Sequence, residues 1–412
     1  MSNKEEKEIN NKNEIIMFVG NDNGNNEHDI IIDGKLITQP NVHAKVRKLP
    51  NLDEVKEEYV LKNIEDNLIV TCEDPSGIYF IGNYALNSGE RVRNIDVGID
   101  NNKIESPIVL VNTLAQIAGQ AVQQYLEKND INTISDDEIL NIKVDMATAL
   151  PVSYYSTKNA EEFANKFLKR SHLVSVQVAN KKVRCNIKFT YVDVIPEGVT
   201  TIFYLKDIDE DSSIFDEYNN EKDDKNDIVH KEKLNSDFFK NAKVLHVAIG
   251  EGTTELPITK GIEFDPNFIR GLDNGIGHAI DKSLEEFKRE KGLSKFSRQD
   301  YSLVLRDTSH KYHDLALEIC EPYIEDEAEE ILNNTKREIQ RANNDIDIVV
   351  VYGGGSIFMK KYLYQELKRF CDRAEIKLLY IPAEYAVTIE AQGLYKFVNS
   401  KLFKMLKEQY SK

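Results

Sequence analysis

Nowhere in the 412 residues do about 18 apolar side chains follow one another, the length a helix needs to cross a bilayer, so a membrane-spanning helix is excluded. Met1 to Glu8 is charged and has no apolar core, so no signal peptide is expected. Cysteine is scarce: Cys72, Cys185, Cys320 and Cys371 lie far apart with no CxxC spacing, which excludes a disulfide framework and points to reduced thiols in a cytoplasm. The eight histidines show no HExxH or other metal-ligand spacing. Positive charge is also short, with 53 Lys+Arg against 70 Asp+Glu and a net charge of -17. Such a surface repels phosphate backbones, so DNA would be reached only through an adaptor.

The chain has enough apolar residues, 41%, for two or three domains with ordinary cores. Residues 1–13 form a charged tail expected to be disordered. Ile15 to Val19 is an apolar run followed by the turn-rich Gly20-Asn21-Asp22-Asn23-Gly24-Asn25-Asn26 and a second strand from Asp29, so the fold opens on a hairpin. Pro107 to Lys128 reads as a helix buried along one stripe, with Gln116 and Gln120 toward solvent. Strands are expected over 142–150, 174–178, 183–192 and 200–205, and a helix near 160–169. Residues 206–240 are acidic and Asn-rich and read as a mobile insertion or an exposed helical excursion. Val244 to Ile249 restarts the sheet, Gly250-Glu251-Gly252-Thr253-Thr254 makes a second tight turn, and 256–259 returns. Helices follow over 274–290 and 314–343, then a strand at 346–351, a helix after Ser356, a strand at 376–381 and a terminal helix from about 391. Strands alternating with helices give the α/β class, with mainly parallel pairing in the second half.

Two hairpins with polar, Gly-containing tips and a strand ending in Gly353-Gly354-Gly355-Ser356 are the segments that carry chemistry. Small residues let backbone amides approach phosphate oxygens, and three glycines between strand and helix leave room for a flat base or sugar. His246 reads as a buried or edge histidine, and Asp273-Asn274-Gly275-Ile276-Gly277 as a helix-capping turn.

In this order the segments resemble the actin-like ATPase superfamily, and more narrowly the ParM-type bacterial plasmid-partition actins. Phe18-Val19-Gly20-Asn21-Asp22-Asn23-Gly24 is similar to the first phosphate loop, Gly250 to Thr254 to the second, and Val350-Val351-Tyr352-Gly353-Gly354-Gly355 to the adenosine motif. Ala149-Leu150-Pro151-Val152-Ser153-Tyr154-Tyr155 and Val194-Ile195-Pro196-Glu197-Gly198 are similar to further islands of the subfamily. The resemblance implies an α/β, actin-like (ribonuclease H-like) two-domain fold with nucleotide in the interdomain cleft. Its domains would be 14–195 and 196–412, the second carrying the acidic insertion at about 206–240 and a C-terminal helix that returns to the first.

It implies ATP (or GTP) and Mg2+ as cofactors. Asp22 would face the metal through water and take part in catalysis; Asn23, Gly24, Asn25, Gly250, Glu251, Gly252, Thr253, Thr254, Gly353, Gly354, Gly355 and Ser356 would bind the nucleotide; Glu197 would orient or deprotonate the attacking water. One departure stands out. The family's second phosphate strand usually carries an Asp where this chain has Ala248, so the obvious second acid is missing, and Glu251 is the nearest substitute. The implied function is an NTP-hydrolysing filament that segregates plasmid DNA, with the chain itself and a DNA-bound adaptor of the ParR kind as partners. Alternatives are a nucleotide-binding scaffold without efficient hydrolysis and a small-molecule kinase.

Overall fold

The computed structural model describes residues 14–95, 103–131, 138–208, 212–222 and 232–411, so the tail at 1–13 and parts of the acidic block lie outside the described residues. The chain divides into two compact units: 14–150, Tyr154–Ile195 and 391–411 make the first, Pro151–Ser153 and Pro196–Glu390 the second.

The first unit is built on strands β1 (Glu14–Asn23), β2 (Glu27–Ile32), β3 (Lys35–Pro40), β4 (Val42–Val46), β5 (Ile69–Cys72), β6 (Gly77–Ile81), β7 (Arg93–Asn94), β8 (Ile139–Leu150), β9 (His172–Val178) and β10 (Lys181–Pro196). They form one sheet in the order β3-β2-β1-β8-β10-β9-β5-β6-β4-β7. The β1–β2 pair is antiparallel and β1–β8 parallel. Helix α1 (Pro107–Leu126) starts where the Ser106 hydroxyl accepts the Ile108 amide and Pro107 supplies a preset φ. Every residue from Ile108 to Val122 is buried. This corrects the one-stripe reading: α1 packs against β2, β4, β9 and the 64–66 turn, so Gln116 and Gln120 are buried too. Helix α2 (Thr157–Leu168), capped by Ser156, buries Phe163 and Phe167.

In the second unit β11 (Lys243–Ile249) is central, antiparallel to β12 (Thr254–Glu255) and β13 (Ile258–Lys260) and parallel to β16 (Ile348–Tyr352). Strands β14 (Glu263–Phe264) and β15 (Gly271–Leu272) extend the hairpins, and β17 (Lys377–Tyr380) runs parallel to β16. Within this unit parallel pairing is thus confined, among the described residues, to β11, β16 and β17, because both hairpins fold back antiparallel. Helices α3 (Ile276–Lys291), α4 (Arg298–Arg306), α5 (His313–Arg341) and α6 (Gly354–Arg373) share an apolar core with these strands. The chain ends in the first unit with α7 (Ile389–Val398) and α8 (Lys401–Tyr410).

One further expectation fails and one holds only in part: the acidic block is helical at Ser213–Phe215, Asp216–Asn219 and Ser236–Phe239, as one of its two readings has it, but it is not an exposed excursion. Thr201–Leu205 is a helical turn, not a strand. The described part of the acidic block is anchored: Ile214, Phe215, Tyr218, Leu234 and Phe239 are buried, Phe215 and Phe239 stack at 5.7 Å, and the Asn219 amide both donates to and accepts from the Leu234 backbone. All four cysteines are buried free thiols. Among the described residues no helix is long and apolar enough to cross a membrane.

Candidate nucleotide site

In the first unit the candidate site is the tip of the β1–β2 hairpin. Side chains alternate along β1, so Asn21 and Asn23 point to one face and Asp22 to the other. The Asn face is a buried polar network. Asn23 Nδ2 donates to Thr113 Oγ1 at 3.1 Å, Thr113 Oγ1 to Asn21 Oδ1 at 3.3 Å, and Thr148 Oγ1 to the Asn21 carbonyl at 2.8 Å. His28 Nε2 donates to Asn21 Oδ1 at 2.7 Å. Burial, aided by the Lys103 charge, pushes His28 down to about 3, so its ring is neutral.

On the other face, the register sets Asp29 directly opposite Asp22, and Asp29 accepts the Thr38 hydroxyl at 2.5 Å. Asp29 escaped the sequence reading, although a hairpin turning at 24–26 pairs positions that sum to 51 and so brings 22 and 29 together. Among the described residues no group of three or more His, Cys, Asp or Glu could hold a metal. An Asp22/Asp29 pair suits a Mg2+ ion that keeps most of its ligands as water and phosphate. Asn25 Oδ1 is buried with no hydrogen-bond partner, an acceptor that fits a metal-bound water or a sugar hydroxyl and not a bare phosphate oxygen.

In the second unit, β11 and β16 run side by side with Ala248 beside Tyr352, so the Gly250 to Thr254 turn and the Gly353 to Ser356 turn emerge at one sheet edge. Gly250 N donates to the Thr253 carbonyl at 2.8 Å, and Thr254 Oγ1 to the Asn274 carbonyl at 2.8 Å, which fixes the first turn. Gly353 has φ +92° and caps α6; a Cβ there would run into the Ile249 carbonyl oxygen. A Cβ on Gly355 would lie 2.6 Å from Ile249 Cγ2. Gly354, by contrast, faces open space. The buried Ser356 closes its own turn, donating to the Gly353 carbonyl at 2.8 Å.

Glu251 does not stand ready as the substitute acid. Its Oε1 lies 2.9 Å from Arg298 Nη2, with the two side chains 9% and 14% exposed, so its charge is committed to Arg298. Arg298 also donates from Nε to Asp281 at 2.5 Å. The amides of Ile276 and Gly277 go to the carbonyls of Gly250 and Glu251, so the start of α3 caps the loop. A different acid lies beside Ala248. Glu255, 2% exposed, sits directly opposite it in the β11–β12 register.

Glu197 follows β10 in a turn held from both sides. Gly198, at φ +81°, donates its amide to Glu390 at 3.3 Å and accepts the Tyr352 hydroxyl at 2.6 Å; Thr200 Oγ1 donates to the same Glu390 oxygen. Because the Tyr352 proton goes to Gly198, His246 donates to Tyr352 from Nδ1 at 3.3 Å and accepts the Thr259 hydroxyl at Nε2, 3.0 Å away. Burial lowers its pKa to about 3 and keeps the ring neutral. The structure therefore joins β16 to the Glu197 turn through Tyr352, 155 positions along the chain from Glu197.

These histidines make stability depend on pH. His28 and His246 have folded pKa values near 3 and His43 near 4, all below the unfolded value of 6.5, so the unfolded chain takes up protons that the folded rings refuse. Stability is retained above pH 6.5 and lost on acidification. Asp193, raised by burial to about 6, acts in the opposite sense between about 6 and 4. Between about pH 7.5 and 5.5 the three rings cost roughly 4 kcal/mol and Asp193 returns about 1. Urea titrations at the two pH values are expected to show a net loss of about 3 kcal/mol, and equal stabilities would contradict the neutral-ring assignment.

Residues 20–199 match the family of actin-like protein N-terminal domains. No curated protein matches the sequence. Among solved structures, the actin-like protein Alp7A is 17% identical with a TM-score of 0.62, covering 97% of this chain and 100% of its own. An archaeal actin homolog in complex with ADP gives 16%, 0.58, 92% and 97%. Bacillus thuringiensis ParM with ATP gives 15%, 0.57, 96% and 100%. Residues 20–199 are an actin-like N-terminal domain, and the chain carries the two-domain actin-like fold.

Proposed function

We propose that this chain is a filament-forming actin-like protein that binds ATP, or GTP, with Mg2+, hydrolyses it to destabilise the filament, and segregates plasmid DNA through a DNA-bound adaptor. The observation that carries the reading is the emergence of the Gly250 to Thr254 and Gly353 to Ser356 turns at one edge of the second unit's sheet, with Gly354 open. Its support includes the fold neighbours solved with ATP and ADP. In this reading Asp22, with Asp29 opposite, holds the water shell of Mg2+, and Asn23, Gly24 and Asn25 follow it around the phosphates. Gly250, Glu251, Gly252, Thr253 and Thr254 form the second phosphate loop, and Gly353, Gly354, Gly355 and Ser356 the adenosine side. Glu197 orients the attacking water, and Glu255 supplies the acid missing at Ala248. A net charge of -17 fits a protein that reaches DNA through a partner.

Pelleting and phosphate release with Mg·ATP, Mg·GTP, the diphosphates and no nucleotide test the reading. The expected result is nucleotide-dependent pelleting, which Glu197→Ala retains while releasing phosphate at least about a hundredfold more slowly. A wild type that stays monomeric with either triphosphate would sink the filament reading. Unchanged release by Glu197→Ala would remove that residue from the mechanism. A nucleotide-binding scaffold without hydrolysis is the second reading, favoured by Ala248 and by the commitment of Glu251 to Arg298. It predicts tight binding with no single-turnover phosphate release.

A further inference from the structure

The β3–β4 corner is a single residue, Asn41, which is fully buried. Its backbone N–H donates to the Asn26 carbonyl at 2.8 Å. Its side-chain Nδ2 donates to the Gly24 carbonyl at 2.7 Å and lies 3.4 Å from Asn23 Oδ1. One residue thus grips both ends of the 23–26 tip, which contains three of the positions read as nucleotide-binding. On its other side, Asn41 Oδ1 accepts Asn112 Nδ2 from α1 at 2.9 Å, and Asn112 Nδ2 is also 3.3 Å from the Val42 carbonyl. Asn112 and its neighbour Thr113 are buried, and Thr113 reaches the same tip directly through Asn23.

The chemistry of the position selects asparagine. The site needs a short side chain that donates toward the loop and accepts from the helix at once, without charge. Aspartate cannot donate, and its carboxylate would face the Gly24 carbonyl and Asn23 Oδ1; serine is too short to span the loop and α1. Hydrogen bonds to hairpin-tip carbonyls fix which way the adjoining peptide groups point, and amide direction is what a phosphate reads. A buried clamp of this kind keeps the tip organised before ligand arrives, which lowers the ordering cost of binding.

We propose that Asn41 is the positioning residue of the first phosphate loop and that Asn112 couples α1 to it, so that this pair sets nucleotide affinity. The inference rests on the nucleotide-binding reading above. Without the clamp the tip samples other amide orientations, and the affinity falls while the rest of the unit keeps its packing.

The test measures dissociation constants for fluorescent Mg·ATP and Mg·GTP analogues, together with unfolding midpoints in the absence of nucleotide. Variants are Asn41→Ala, Asn112→Ala and, as a comparator, Gln123→Ala. Gln123 lies on the same helix and also makes two hydrogen bonds, to the Leu61 carbonyl at 2.7 Å and from Lys35 at 2.9 Å, but neither reaches the tip. Asn41→Ala is expected to weaken binding about tenfold or more, the equivalent of one to two hydrogen bonds. Asn112→Ala should weaken it by a smaller factor, about threefold, because the loop contacts remain. Gln123→Ala should lower the midpoint and leave affinity unchanged. Variants of Asn41 and Asn112 that bind like wild type overturn the inference, as does a Gln123→Ala loss of affinity as large as theirs. If Asn41→Ala does not fold, Asn112→Ala decides by the same criterion. A wild type that binds neither analogue overturns the nucleotide-binding reading itself, and the inference with it.

Discussion

Gly353→Ala is expected to destabilise the second unit by about 2–6 kcal/mol and to abolish nucleotide binding, whereas Gly354→Ala, one residue on, leaves the fold intact. The difference follows from what a methyl group meets at each position. At Gly353 the backbone lies at φ +92° and ψ 161°, a region that essentially only glycine adopts and that costs a side chain about 1–3 kcal/mol, and the Cβ is driven into the Ile249 carbonyl oxygen. That oxygen belongs to the main chain of β11 and cannot swing aside, so either the β11–β16 pair separates or the α6 start shifts, at a further ~1–3 kcal/mol. At Gly354 a Cβ meets nothing within 4 Å, and alanine in a first helical turn gains up to about 1 kcal/mol over glycine. The fold gives no reason for glycine at 354, and the proposed reading puts the ligand in the space it leaves. Thermal unfolding paired with Mg·ATP titration separates the two roles: a Gly354→Ala protein that is as stable as wild type yet binds at least about tenfold more weakly places ligand at that opening. Undiminished binding by Gly354→Ala would move the base or sugar elsewhere.

The parts of this site that the sequence displays are those set by neighbouring residues. The strand before Gly20, the Gly250 to Thr254 turn and the glycines after Val351 announce themselves because turn chemistry is local. What stays hidden depends on register or on distant partners. The sequence shows Ala248 without an acid beside it, and only the register set by the Gly250 to Thr253 turn brings Glu255 across from it. Asp29 stands opposite Asp22 for the same reason. Thr200 to Leu205 is rich in β-branched and aromatic residues and reads as a strand, yet it coils into a helical turn: Gly198 turns the chain in a left-handed conformation and Glu390 accepts the Thr200 hydroxyl. Glu390 and Tyr352 lie more than 150 positions from the turn they hold, beyond any local pattern. The full burial of α1 was hidden for another reason. Its glutamines looked like a solvent face, whereas elements pack on the helix from several directions.

Lys407→Met is expected to cost the first unit about 2–4 kcal/mol, a large effect for a residue five positions from the chain end. Asp145 on β8 is 6% exposed, and both its oxygens are met by Lys407 Nζ of α8, at 2.7 and 2.6 Å, with the Thr190 hydroxyl as a third contact. Removing the lysine leaves a carboxylate inside the fold with one hydroxyl partner. Breaking a wholly buried pair costs about 3–5 kcal/mol, and the Lys407 side chain is 35% exposed, which lowers the figure. Packing of Phe403 and Tyr410 on Tyr191 holds the same helix by apolar contact, so α8 should loosen without leaving. The double variant Asp145→Asn with Lys407→Met should recover most of the loss, because the cost lies in the stranded charge and not in the absent attraction. Urea titration of the two single variants and the double checks this; additive losses would mean that the pair contributes mainly through packing. The consequence reaches the site through β8 itself. Three residues beyond Asp145, Thr148 donates to the Asn21 carbonyl at the root of the β1–β2 tip, so a looser α8 frees the strand that steadies Asn21. Nucleotide affinity should therefore fall in Lys407→Met by a smaller factor than stability does, and return in the double variant.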